Sequence, residues 1–154
     1  MGQQQLLLVI LVTIIVGIAT VVAINIFGTA AEQANEDAIR QDLLTATTQL
    51  QGLWARPAMM GGLGGSFTND TDVPNQQFAE RSGIPGTVTG LIIDNANAEY
   101  TIVRVDANTV RINTDPTTTS AVIFAELERL ASGNWEARIS VDGLVNTIGG
   151  DPSS

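Results

Sequence analysis

Leu6 to Phe27 form one unbroken run without a charged side chain, and the first ionisable side chain of the chain is Glu32. As a helix, about 20 such residues at about 1.5 Å each span roughly 30 Å, the thickness of a bilayer's hydrocarbon core. A secretory signal peptide fits the run poorly. Such a peptide needs a basic n-region, an apolar stretch of roughly 7–15 residues and a small-x-small cleavage site. Here no Lys or Arg precedes the run, and the apolar segment is longer.

The residues after the run decide how it continues. From Ala30 to Ala55 there is no Pro, and Gly52 stands as the lone Gly. Ile39, Leu43, Ala46, Leu50 and Leu53 recur at alternating four- and three-residue spacing, which is one stripe of an amphipathic helix. Glu32, Glu36, Asp37, Arg40 and Asp42 surround the start of that stripe. Pro57 ends the helix, because the residue before a proline is pushed out of α geometry. The pattern predicts one helix from about Gln4 to Ala55, roughly 75 Å long. Its half at 1–29 is apolar on every side, and its half at 30–56 is apolar on one side only. The first must lie in lipid or among other apolar helices; the second packs on a small domain.

The chain has 154 residues and a net charge of −9, with seven Arg and no Lys. That acidity argues against nucleic acid as a partner, since phosphate binding needs clustered cations. It also opposes docking on anionic head groups. No Cys is present, so disulfides and thiolate metal sites are excluded. Basic residues flank neither end of the apolar run, so charge sets topology weakly; the acidic flank is compatible with the C-terminal part lying outside.

Residues 57–85 read as a long Gly-rich connecting loop, punctuated by Gly61-Gly62-Leu63-Gly64-Gly65, Asn69, Asp70, Asp72, Pro74 and Asn75. Phe67, Val73 and Phe78 are its expected anchors. Residues 86–154 read as a β head. Thr87–Ile93 is rich in β-branched residues, Tyr100–Val105 and Val110–Asn113 alternate, and Asn/Asp clusters separate them. This is the texture of an antiparallel meander with one buried face, for which the amphipathic helix half is the natural lid. Ile123, Leu127 and Leu130 have helical spacing before Gly133, so 119–131 reads as helix; a buried strand at Ala121–Phe124 is the alternative. Trp135–Val141 reads as the last strand, followed by a turn at Asp142-Gly143 and a tail over Gly149–Ser154. The fold class is therefore α+β: a long N-terminal helix packed on a small antiparallel sheet.

Catalytic chemistry is hard to place. Without His, Cys or Lys there is no imidazole base, thiolate or Schiff-base amine, so the chain is expected not to be an enzyme and to need no cofactor. Glu126 and Glu128 read as a solvated face. Gly61–Gly65 lacks the Lys and the strand-to-helix context of a phosphate loop and reads as a flexible linker. Asn69, Asp70 and Asp72 could offer oxygens to Ca²⁺ but lack the EF-hand spacing, and a polar loop is the better reading. Asn69-Asp70-Thr71 is an N-x-T sequon, which marks Asn69 as a possible glycosylation site. Thr117, Thr118, Thr119 and Ser120 could carry O-linked sugars, but read more simply as helix caps.

Gln5-Leu6-Leu7-Leu8-Val9-Ile10-Leu11-Val12-Thr13-Ile14-Ile15-Val16-Gly17-Ile18-Ala19 resembles the N-terminal segment of type IV pilins and pseudopilins. That family has Glu at the fifth mature position, then a Leu-rich helix with a Gly inside. The resemblance implies an amphipathic helical continuation packed through an αβ-loop on an antiparallel sheet of four or so strands. It implies a subunit held in the inner membrane, then drawn by assembly machinery into a fimbrial filament on the cell surface, with cell adhesion as the expected role. The assembly surface would be Gln5, Leu6, Leu7, Leu8, Ile10, Leu11, Ile14, Ile15, Gly17, Ile18, Val21, Val22, Ile24 and Asn25, with other copies of the chain as partner. Small residues such as Gly17, Ala19, Ala23 and Gly28 would let helices approach closely.

One departure matters. With Met1 retained, Gln5 occupies the fifth position; a cut after Gly2 would place Leu7 there. The family's Glu neutralises a neighbour's N-terminal amine during assembly, and Gln cannot form that ion pair. The expectation is an uncleaved N-terminus in a neutral core, refuted by an intact mass that begins at Gln3. The rival reading is a monomeric, single-pass anchored binding domain. Against it, Gln3, Gln4 and Gln5 stand at one end of the run and Asn25 near the other, where a lone anchor usually carries Trp, Tyr or basic residues.

Overall fold

The computed structural model describes residues 2–141 and 144–148. The expected turn at Asp142-Gly143 and tail over Gly149–Ser154 lie outside the described residues. The chain forms two compact units, Met1–Ala34 and Asn35–Ser154. Helix α1, Gly2–Ala55, contributes to both.

In the first unit the large apolar side chains from Leu6 to Phe27 are between 48% and 75% exposed. The helix is long and apolar enough to cross a membrane. Its threonines add little polarity. Thr13 donates to the Val9 carbonyl at 3.0 Å and the Ile10 carbonyl at 2.8 Å, and Thr20 donates to that of Val16 at 2.8 Å. Hydroxyls satisfied within their own helix need no outside partner.

The second unit is built around the stripe Ile39, Leu43, Ala46, Leu50 and Leu53, every member of which is buried. The stripe joins one core with the inner face of the sheet, including Ile93, Tyr100, Ile102, Ile112, Ile123, Leu127 and Ile139. Among the described residues the sheet has seven antiparallel strands in sequential order. They are β1 (Thr87–Thr89), β2 (Ile92–Asp94), β3 (Ala98–Arg104), β4 (Thr109–Pro116), β5 (Ile123–Arg129), β6 (Trp135–Val141) and β7 (Leu144–Ile148).

Several expectations are corrected. The favoured helix over 119–131 is strand β5. Helical spacing of Ile123 and Leu127 coexists with strict alternation, since Ile123, Ala125 and Leu127 are buried and the residues between them are not. Tertiary pairing decides: β5 is ladder-bonded to β4 on one side and β6 on the other. Gly133, expected to stop a helix, sits at φ 88° in the turn between β5 and β6, donating to the Leu130 carbonyl at 2.8 Å. The β-rich stretch Thr87–Ile93 is two strands, folded back at Gly90 with φ 66°. Trp135–Val141 is not the last strand, because β7 pairs with it. The sheet is wider than the four or so strands the pilin resemblance implies.

The connecting segment is more ordered than a linker. It holds a 3₁₀ turn at Ala58–Met60 and helix α2, Asn75–Glu80. Phe67, Val73 and Phe78 are fully buried, as expected of anchors. The glycine cluster closes the end of α1. Leu63 N–H donates to the Leu53 carbonyl at 3.0 Å, Gly65 N–H to that of Trp54 at 2.9 Å and Gly64 N–H to that of Arg56 at 3.0 Å. Carbonyls at a helix C-terminus have no intrahelical donor, and the loop supplies one for each of these. Gly62 is fixed by space: a Cβ there would lie 2.1 Å from the Arg56 carbonyl oxygen. Gly62→Ala is expected to cost about 1–3 kcal/mol, the usual range for overpacking, measured as a lowered urea midpoint. A linker glycine would tolerate the methyl without loss.

Candidate assembly surface

Every residue of the expected assembly set lies on α1, and each side chain is exposed along Gln5, Leu6, Leu7, Leu8, Ile10, Leu11, Ile14, Ile15, Gly17, Ile18, Val21, Val22, Ile24 and Asn25. The surface wraps the helix instead of forming one stripe. That follows from sequence, since apolar residues occupy nearly every position and no core-facing side is selected. A monomeric soluble protein rarely exposes an apolar patch beyond about 300–600 Å², and a 20-residue all-apolar helix exceeds that. Besides Thr13 and Thr20, Asn25 is the polar residue inside the run. Its backbone carbonyl accepts from Thr29 Oγ1 at 3.1 Å, while its side-chain amide makes no hydrogen bond among the described residues. Val22, Asn25, Ile26, Thr29, Ala30 and Gln33 line a shallow groove of about 410 Å³ on this helix.

Several polar residues of the head hold the fold. Asn69 Nδ2 donates to the Asp72 carboxylate at 2.8 Å and the Leu63 carbonyl at 3.2 Å. The nitrogen that would carry a glycan is thus occupied in the folded loop. Among the described residues no group of three His, Cys, Asp or Glu is placed to hold a metal. Glu126 faces Arg111 across the strands, with Arg111 Nε at 3.0 Å. Arg104 stacks over Phe78 at 4.1 Å and donates to the Val73 carbonyl at 2.9 Å, tying β3 to the connecting segment. Burial lowers the Arg104 pKa, partly offset by Asp70.

One cluster escaped the sequence reading. Asp42 on α1 accepts from Tyr100 Oη at 2.7 Å and from Asn95 Nδ2 at 3.2 Å. Asn95 Oδ1 accepts from the backbone N–H of Asn97 at 2.8 Å and Ala98 at 3.1 Å, closing the β2–β3 turn. The helix is pinned to the sheet by a polar contact at the rim of an apolar interface. Burial first, then the Asp42 hydrogen bond and charge, push the Tyr100 phenol well above its ordinary value. A folded-state pKa raised above the unfolded one stabilises fully below the unfolded value of about 10, and that contribution fades as pH rises above it. Tyr100 is the sole tyrosine, so tyrosinate absorbance reports it alone. Ionisation is expected at higher pH in the folded chain than in urea, and Asp42→Asn should bring the two midpoints closer. Coincident midpoints in the unaltered chain would contradict the buried contact.

The chain matches no family model, no curated protein and no solved structure.

Proposed function

We propose that this chain is the structural subunit of a helical filament of the type IV pilus kind, assembled by packing of its N-terminal apolar helices. One observation carries the reading: a single helix begins as an uncovered, all-round apolar rod and ends as the amphipathic lid of an antiparallel sheet. A rod of that kind exchanges lipid for neighbouring helices at little hydrophobic cost, because hydrocarbon and apolar side chains are similar solvents. Membrane insertion first and polymerisation second is the order that chemistry permits. The reading assigns no catalytic role to the chain.

The test is electron microscopy of material sheared from cells, with mass spectrometry of what is seen. Thin filaments composed of this chain are expected, and the intact mass fixes whether Gln5 or Leu7 is the fifth residue. Recovery solely from detergent-extracted membranes, as a monomer, would overturn the reading in favour of an anchored binding domain.

A further inference from the structure

The 3₁₀ turn after α1 displays two methionines, Met59 at 99% and Met60 at 72% exposure. Single exposed apolar residues are ordinary; a held pair is less so. The Pro57 carbonyl accepts from Met60 N–H at 2.9 Å and Gly62 N–H at 3.1 Å, and Gly61 N–H donates to the Ala58 carbonyl at 2.9 Å. Gly61 takes the left-handed conformation at φ 73°, and Arg81 donates to its carbonyl. The turn is therefore a built feature that carries a flexible, polarisable apolar knob. Arg56 and Arg81 flank it, both exposed, and among the described residues neither forms an ion pair.

The groove on the first unit has the opposite character. Val22, Ile26 and Ala30 form one four-residue row, and Asn25, Thr29 and Gln33 form the next. Rows at this spacing are the ridges between which a neighbour's side chain inserts. Glu32 follows Thr29 by three residues and Asn25 by seven, so it stands at the end of the polar row. It is exposed, has no cationic partner among the described residues, and is the sole ionisable side chain in Met1–Ala34.

We propose that the Met59–Met60 knob of one copy seats in the Val22–Gln33 groove of a second copy, with Arg56 and Arg81 against Glu32. The proposal rests on the filament reading and specifies one of its contacts. Apolar meets apolar, and two arginines outside any ion pair meet a carboxylate outside any ion pair. Knob and groove are different surfaces, so the contact is heterologous. A heterologous contact that does not close into a ring propagates as an open helical polymer. The other occupant of such a groove, a lipid acyl chain, would offer Glu32 no cation.

The chain lacks cysteine, so introduced thiols report single contacts. In filaments of the full chain, Ile26→Cys combined with Met59→Cys is expected to give an oxidant-dependent ladder of covalent multimers. Each single variant should give none. Met59→Glu with Met60→Glu should reduce sheared filaments at least about tenfold, as loss of an interface anchor does, while leaving the thermal unfolding of the head unchanged, because both side chains are exposed. Normal filaments from the glutamate variant, or dimers from Met59→Cys alone with no ladder from the pair, would overturn the contact. Failure of the unaltered chain to form filaments would overturn the filament reading itself, so the two failures are distinguishable.

Discussion

Ile15→Asp is expected to remove the chain from both membrane and filament. Ile15 lies near the middle of the Leu6–Phe27 run and is 57% exposed on the isolated chain. A carboxylate at the centre of a membrane helix costs about 2.5–3.5 kcal/mol on insertion scales, which is roughly a hundredfold in partition. Among packed helices the penalty is larger still, because residues 1–34 contain no basic side chain to pair with it. The variant should therefore be scarce in sheared material and in washed membranes alike. Ile15→Leu, which keeps the apolar surface, should behave as the unaltered chain does. The head must remain folded for the result to count, and the tryptophans Trp54 and Trp135 report that directly. Their rings are 5.2 Å apart, edge to face, with Arg129 stacked 4.5 Å from Trp54. Normal filaments from Ile15→Asp would show that this helix is not the assembly core.

How much of this was legible in the sequence depended on whether a residue's role is local. The stripe Ile39, Leu43, Ala46, Leu50 and Leu53 was readable because helical periodicity is written in neighbouring positions, and all five are buried. Phe67, Val73 and Phe78 were readable as anchors because a large apolar residue amid Gly, Asn and Asp has few other reasons to be there. Strands β3 and β4 announced themselves by alternation. Strand β5 did not, because Ile123 and Leu127 satisfy both the helical and the extended period; its register with β4 and β6 settles the matter, and such pairing is invisible in a local window. The apolar half of α1 was legible as an absence of charge. The contact of Asp42 with Tyr100 spans 58 positions, and no pattern within either segment signals it. The methionine knob was hidden for another reason. A Gly-rich stretch reads as a linker until its donors are seen to cap the carbonyls of α1.

The head's stability should hinge on the connecting segment as much as on the sheet, and Phe67→Ala tests this. Phe67 is fully buried, and its ring lies 6.3 Å from that of Phe78 and 6.0 Å from that of Trp135, both near edge-to-face. Its backbone N–H donates to the Ala107 carbonyl at 2.9 Å. Trp54 Nε1 donates to the same carbonyl at 3.0 Å, so one turn receives both the connecting segment and the end of α1. Truncating the ring removes its transfer energy and leaves a cavity that the surrounding strands cannot fully close. Such substitutions cost about 3–5 kcal/mol, against a total of about 5–15 kcal/mol for a typical domain. In urea titrations of the full chain in detergent, followed by tryptophan fluorescence, the midpoint should fall sharply with an unchanged slope. Phe124 is the control. It lies half-buried on the sheet's other face, beneath Arg111 at 5.7 Å, and Phe124→Ala should cost much less. Equal losses at the two positions would mean that the connecting segment is not part of the core, and a loss confined to Phe67 would show that it is.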